Sequence, residues 1–586
     1  MVPKPKDEWH RFRAYLCLGG LLLGFALLAG QLYSIQVRDH DRYVGLARRQ
    51  QLTSEVIPAR RGTIYDRRFH KLALSREVKS CFLSPRDIED PAQVASALAR
   101  VLRVDAAALR EKIESDRGRQ FLWVKRQLSD EEAGRVEPLA LRGVHLQVEY
   151  TRVYPVGQVA SHIIGFTDID GHGLEGLEAR YDEALAGTPG RRPLYRDGRR
   201  RFRATGTQSD EPAQNGYDLV LTIDVGLQGI VEEELDRIVR DWKPAGATII
   251  VLDVPTGEVL ALGNRPTFDA NEPGRVPAEC RFDRAVGFSF EPGSVFKPFV
   301  VSGALQAGTV NLEDELFCHE GYYKPRQGQG LHDHKSFGWL TVRQVVVQSS
   351  NIGMALVGES MGIPLLHQTV RGFGFGERTG VELPGEVSGK VFPLGRWNPM
   401  SLTRIPMGHE VSVTPLQVVT AMNALANDGV LVPPRVVRAV VDPERGLAQV
   451  PAKPAPRRVI PAALARTMVR DVLAGVVREG TGQRAGLTSY EVAGKTGTAQ
   501  KLVDGRYSHN QFVSSFACVA PAEKPRISVL VVVDGPTSGP SYYGGTVAAP
   551  SAARVVEESL FYLQVPPQSL RVAQGTRRAS AQEMGW

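Results

Sequence analysis

Apolar positions along the chain follow three regimes. From Ala14 to Val37 there is no charged residue. Those 24 residues, at about 1.5 Å each, reach about 36 Å, enough to cross the hydrocarbon core of a bilayer. From there to about residue 215, short apolar runs alternate with polar turns punctuated by Gly and Pro. RRGTIYDRRFHKLALS reads as strand, turn and strand. DPAQVASALARVLRVDAAALREKIE repeats apolar residues at intervals of three and four, which predicts a helical stretch. TRVYPVGQVASHIIGF and GLEGLEARYDEALAGTPG read as a turn-rich connection leading into an amphipathic helix. No reactive constellation shows in this region, which reads as a non-catalytic pedestal.

Near residue 216 the character changes. YDLVLTIDVGLQGIVEEELDRIV predicts a strand followed by a helix, and ATIIVLDVPTGEVLALGN predicts two strands joined by a Pro-Thr-Gly turn. Further strands follow late in the chain at SSFACVA and RISVLVVVDG, and SAARVVEESLFYL predicts a closing helix. Strands at both ends of a long segment, with helices between, predict an α/β (α+β) domain whose antiparallel sheet lies between helices. The expected organisation is a tail over 1–13, an anchor over 14–37, a pedestal over 38–215, a catalytic domain over 216–565 and a disordered polar tail over 566–586.

At 586 residues the chain is too long for one ordinary core. Lys4, Lys6, Arg11 and Arg13 precede the apolar stretch, so a single-pass topology with the N-terminus in the cytoplasm and the later domains outside the membrane is expected. The stretch exceeds the usual apolar region of a signal peptide, and no clear A-x-A site ends it, which favours an uncleaved anchor. The net charge of +7 is not gathered into an aromatic-interleaved patch, and no nucleic-acid module can be read. The densest basic run, RRPLYRDGRRRFR over 191–203, reads as a solvated loop. Five scattered cysteines announce no disulfide framework; a bridge from Cys280 to Cys318 is permitted, with free thiols the default reading. Cys318, His319, His332 and His334 lack the spacing of a closed zinc site, so no metal is expected there.

The chemistry lies in three short motifs. Ser294 and Lys297 stand in EPGSVFKPFVV, and three residues apart on a helix they share a face. A serine hydroxyl needs a base to become a nucleophile, and Lys297 can be that base if desolvation or a neighbouring cation, such as Lys495, lowers its pKa. Pro292 and Gly293 break the preceding chain, so Ser294 is expected at the first turn of a helix. In QSSNIGMAL, Ser349 suits a proton relay and Asn351 a donor to a substrate amide, although Ser-Ser-Asn alone also reads as a helix cap. Lys495-Thr496-Gly497-Thr498 suits a strand edge along which an extended peptide lies, with the Thr496 and Thr498 hydroxyls and the Lys495 charge holding a carboxylate. Backbone N–H groups of Ser294 and Thr498 would form an oxyanion hole. Together these describe acyl transfer from a peptide with a free C-terminus.

The ordered set S-x-x-K, S-x-N and K-T-G is shared by penicillin-binding proteins and class A β-lactamases. Over residues 14 to 563 the chain resembles a monofunctional, class B penicillin-binding protein. Arg61-Gly62, Ile64, Asp66-Arg67 and Leu72-Ala73 match the first pedestal motif of that family. Arg152, Tyr154-Pro155, Gly157, His162 and Gly165-Phe166 match the second, and Gly173, Glu175-Gly176 and Glu178 the third. Thr414-Pro415-Leu416-Gln417, Tyr543-Gly544-Gly545 and Ala548-Ala549-Pro550 extend the likeness. Phe69 and Glu410 depart from it, each standing where a glycine is usual. The resemblance implies a peptidoglycan D,D-transpeptidase that needs no cofactor. Ser294 would attack the penultimate D-Ala carbonyl of a stem peptide, and β-lactams would acylate the same serine. It also implies an inner-membrane location. GFTDIDGHGLEGLE most resembles division-type members, implying a polytopic glycan polymerase and division proteins as partners. An elongation-type transpeptidase, a membrane-bound β-lactam receptor and a β-lactamase are the alternatives.

Overall fold

A computed structural model describes residues 6–196, 202–204, 211–325, 330–503, 506–539 and 541–568. The expected tails at 1–5 and from 569 onward, and positions 197–201 of the basic run, lie outside the described residues. The chain forms two compact units, residues 1–59 with 188–215, and residues 60–187 with everything from 216 onward.

In the first unit the apolar stretch is the helix Lys6–Tyr33, extended by a π-helical turn, Ser34–Arg38. It is a candidate membrane span over Glu8–Arg38, with a mean hydropathy of 1.8 and none of it buried. Helix His40–Gln51 follows, and then a three-stranded sheet of Leu52–Ile57, Gly190–Arg196 and Phe202–Ala204. The basic run expected as a solvated loop is therefore mostly strand. Cross-strand backbone pairing with Leu52–Ile57 is a long-range event that a local charge run does not report.

In the second unit, Ile64–Tyr65 and Lys71–Leu83 form the expected hairpin, and Lys71–Leu83 is flanked by Leu122–Leu128 and Val144–Val153. Phe69 sits in the hairpin turn with φ +65°, the left-handed region that glycine enters freely. The turn keeps its shape because Asp66 Oδ1 accepts the N–H groups of Arg68 and His70, at 2.7 and 2.8 Å. The helical stretch over 91–115 divides into Pro91–Leu102 and Ala106–Ser115. Arg103 turns left-handed between them, and Asp105 caps the second helix by accepting from Ala107 and Ala108. The expected amphipathic helix near 176 is likewise two short ones, Gly176–Arg180 and Asp182–Ala186.

The three pedestal motifs meet at one buried carboxylate. Glu178 receives Arg61 Nε at 2.6 Å and Arg152 Nε at 2.7 Å, and its side chain is wholly inaccessible to solvent. Arg61 also donates to the Glu178 and Gly171 carbonyls and pairs with Asp182, while Arg152 donates to the Gly62 carbonyl. Segments 117 residues apart in sequence are thus held by fully desolvated, charge-assisted hydrogen bonds.

The strand Asp218–Leu221 joins the pedestal sheet. It pairs in parallel with Ile64–Tyr65 and antiparallel with Val437–Val441. The five-stranded catalytic sheet is antiparallel, in the order Val259–Arg265, Gly246–Asp253, Ile527–Asp534, Arg506–Ala520, Ala493–Val503. Every residue of Gly246–Asp253 and Ile527–Asp534, two of its three inner strands, is buried, as continuous apolar runs require when both faces are covered. Ile250, Leu252, Leu530 and Val532 face the core that includes Phe299, Val300, Ile352, Leu416 and Val419. Ile249, Val251, Val529 and Val531 face the core of Val225–Trp242 and Ala549–Tyr562. The sheet between helices is as expected. Its edge strand, Ala493–Val503, carries Lys495-Thr496-Gly497-Thr498.

Candidate active site

Pro292 and Gly293 open a 3₁₀ turn, Gly293–Phe296, that runs directly into helix Lys297–Ala307. Ser294 is half-buried on that turn, and Lys297 begins the helix one turn later, wholly buried. The turn lies tight against the edge strand. A Cβ on Gly293, whose φ is +56°, would stand 3.0 Å from the Thr498 carbonyl oxygen, and one on Gly497 would stand 3.0 Å from the Pro292 carbonyl oxygen and 2.3 Å from Ser515 Oγ. Glycine at 293 and 497 is what lets these two backbones approach. Gly408 backs the same turn, since a Cβ there would meet the Gly293 carbonyl at 2.2 Å.

Lys297 Nζ donates to the Ser349 carbonyl at 2.7 Å, the Ser350 carbonyl at 3.1 Å and Asn351 Oδ1 at 2.9 Å, and lies within hydrogen-bond distance of Ser349 Oγ at 3.3 Å. Lys495 Nζ reaches the same Ser349 hydroxyl at 3.0 Å, along with the Thr496 carbonyl and hydroxyl. Lys297, Ser349, Asn351 and Lys495, drawn from positions spread over about 200 residues, are therefore linked by direct hydrogen bonds. Ser349 bridges the two lysines because its backbone is left-handed, φ +62°, which turns both its carbonyl and its hydroxyl toward Lys297. Such a conformation in a non-glycine residue is a form of strain that collects at functional sites. Ser350 caps helix Asn351–Gly372 by accepting from Gly353 N–H at 2.9 Å. The triplet is thus a helix cap and a ligand for Lys297 at once.

Burial pushes the Lys297 ammonium down to about 7, with the Asp333 carboxylate opposing the shift. Lys495 is held well below the ordinary lysine range, first by burial and then by the Lys297 charge. Sequence reasoning assigned the depression of Lys297 to desolvation or to Lys495. Burial is the leading cause, and the repulsion between the lysines bears on Lys495. Thr496 is buried with its hydroxyl 2.7 Å from that of Thr481, and Thr498 is half-buried, its Oγ1 accepting the Gly544 N–H at 3.0 Å. The Thr498 hydroxyl proton therefore remains to donate elsewhere.

Glu410, the second departure from the family pattern, has φ +61° and so keeps the backbone shape of a glycine. A left-handed L-residue costs about 1–2 kcal/mol. Its position is fixed by Glu291, which accepts the Glu410 N–H at 3.0 Å and lies 2.9 Å from His409 Nδ1, and by Ser401, whose hydroxyl donates to Glu410 Oε2 at 3.0 Å.

The residues that could be mistaken for a metal site are engaged in ring packing. His319 stacks on Tyr323, His332 lies against Tyr322 and His334 meets the ring edge of Phe337, while Cys318 is a buried free thiol. Sequence reasoning missed Asp333, which accepts from Ser350 Oγ at 2.6 Å and from the N–H groups of Asn351 and Ile352. It also missed Thr481. No spacing rule connects either residue to a motif.

Residues 247–557 match the penicillin binding protein transpeptidase domain, and residues 56–221 match the penicillin-binding protein dimerisation domain. The chain is 35% identical over 570 residues to the probable peptidoglycan D,D-transpeptidase PenA of Neisseria gonorrhoeae, covering 97% of this chain and 95% of that protein. It is 33% identical over 577 residues to peptidoglycan D,D-transpeptidase FtsI of Escherichia coli strain K12, again covering 97% and 95%. The crystal structure of penicillin binding protein 3 from Mycobacterium tuberculosis, complexed with aztreonam, superposes with a TM-score of 0.68 at 29% identity, covering 88% of this chain and 98% of that one. With both domain types in this order and the three motifs joined by direct hydrogen bonds, the chain belongs to the class B penicillin-binding proteins, the family of serine-type peptidoglycan D,D-transpeptidases.

Proposed function

We propose that the protein cross-links peptidoglycan stem peptides at the division septum, with Ser294 as the acylated nucleophile. The observation that supports this best is the hydrogen-bonded line Lys297–Ser349–Lys495, buried behind the turn that carries Ser294. A lysine depressed to about 7 is neutral often enough near neutral pH to take the Ser294 proton. Ser294 Oγ attacks the penultimate D-Ala carbonyl, and the oxyanion is met by the backbone N–H groups of Ser294 and Thr498. The proton passes by way of the Ser349 hydroxyl to the departing D-Ala amine. Asn351 orients the donor peptide amide, while Lys495, Thr496 and Thr498 hold its terminal carboxylate along the backbone of Gly497. An amine from a neighbouring stem peptide then attacks the acyl-enzyme and releases Ser294. Nucleophile, base and relay are all side chains, so the acyl transfer calls for no cofactor. β-Lactams, which mimic the D-Ala-D-Ala end, acylate the same serine.

The helix over Glu8–Arg38 anchors the chain in the inner membrane, with the catalytic domain on the periplasmic side. The matched domains over 56–221 and 247–557 are a dimerisation and a transpeptidase domain, and a transpeptidase domain needs nascent glycan delivered at the membrane. A polytopic glycan polymerase and division proteins are therefore its partners, with the anchor as the point of contact and Gly19, Gly20 and Gly24 permitting close helix approach. Mass spectrometry of the intact protein after penicillin should show a single adduct that maps to the Ser294 peptide. In a rod-shaped host, depletion should yield filaments that elongate without septa. Rounded cells that still divide would assign the protein to elongation instead.

A further inference from the structure

In the S-D-N form of the second motif the middle residue is a carboxylate, whereas here it is Ser350. A carboxylate nevertheless stands beside that position, delivered from elsewhere in the chain. Asp333 follows the short strand Leu331–His332, and its side chain reaches the start of helix Asn351–Gly372. Oδ2 accepts from Ser350 Oγ at 2.6 Å; Oδ1 accepts from Asn351 N–H and from Ile352 N–H at 3.2 Å. The adjacent His332 carbonyl accepts from Asn351 Nδ2 at 3.1 Å, which leaves Asn351 Oδ1 turned toward Lys297. A negative charge on orphan N–H groups at a helix start is favourable, and the three hydrogen bonds that this one carboxylate accepts define its direction.

We propose that Asp333 is the positioning residue of this site, acting through Ser350 and Asn351 to hold Ser349 and Asn351 in register with Lys297. This rests on the roles assigned to Ser294 and Lys297 above. Lys297 is faced by charged or titratable groups from several elements: Asp333 itself, Lys495 on the edge strand and His334, whose own proton affinity is lowered first by burial and then by the Lys297 charge. Asp333 is the carboxylate in this group, so its removal has a defined sign. Lys297 would lose its proton at lower pH.

The test measures the second-order rate of acylation by a fluorescent penicillin against pH, on full-length protein in detergent. Asp333→Asn should lower the plateau rate by about tenfold to a hundredfold, the scale of a misplaced catalytic group, and should shift the acid limb to lower pH. Asp333→Glu keeps the charge on a longer arm. It should lower the rate while leaving the limb near its original pH, and it carries the test if Asp333→Asn does not fold. In a Ser350→Ala background, Asp333→Asn should cost less than it does alone, because the two groups act as a unit. Variants within twofold of the parent rate would overturn the proposal, as would a fall in rate with an unmoved limb and full additivity with Ser350→Ala. An adduct on the parent protein at a residue other than Ser294 would overturn the functional reading itself; normal Ser294 acylation in every Asp333 variant would overturn the positioning role alone.

Discussion

Replacing Ser294 by alanine is expected to abolish covalent labelling by penicillin, a loss of about a thousandfold or more, since the substitution removes the nucleophile on which the acyl bond forms. Ser294 is half-buried on a turn held by Gly293, Gly408 and the edge strand. Losing one hydroxyl there should leave the thermal transition nearly unchanged. Lys297→Ala should slow labelling by about a hundredfold to ten-thousandfold by leaving the hydroxyl without its base. In the parent protein the acylation rate should climb as pH rises through about 7, because burial lowers the lysine and the neutral amine is the active form. In Lys297→Ala that limb should vanish. Labelling that persists in Ser294→Ala would place the nucleophile elsewhere, and a parent rate flat from pH 5 to 9 would remove Lys297 as the base.

The second large effect is expected in the pedestal. Glu178→Gln removes the charge that serves both Arg61 and Arg152, which leaves Arg152 with a neutral partner and Arg61 with Asp182 as its remaining carboxylate. Breaking a buried ion pair in this way costs about 3–5 kcal/mol. Chemical unfolding followed by circular dichroism should show the lower-stability transition moving to lower denaturant, while Ser294 still labels in the folded protein at low temperature. An unmoved transition would mean that the three pedestal motifs are held by something other than this carboxylate.

The same triad shows how far local sequence reaches. Arg61, Arg152 and Glu178 were legible as motif residues, but their convergence was not, because a salt bridge across 117 residues leaves no local pattern. Asp333 illustrates the harder case. It lies between His332 and His334, which sequence alone weighed as possible metal ligands, yet its contacts are with the start of a helix about eighteen residues later. The two departures from the family pattern each stand where a glycine is usual; the backbone at Phe69 and Glu410 is left-handed all the same. Hydrogen bonds to Asp66 and Glu291 fix the backbone there, and these come from the turn itself in one case and from a distant segment in the other.

Sequence alone determined the long apolar helix near the N-terminus, the sheet and closing helix of the transpeptidase domain, and the three short motifs. Each is written in local periodicity or in residue types that few other chemistries require. Tertiary structure decided which backbone strands pair across the pedestal, that Ser349 turns both of its oxygens toward Lys297, and that burial tunes the two lysines. It also placed Asp333 behind the second motif. Pairing, desolvation and charge proximity depend on segments far apart in the chain, and they exist only once the fold has excluded water from between them.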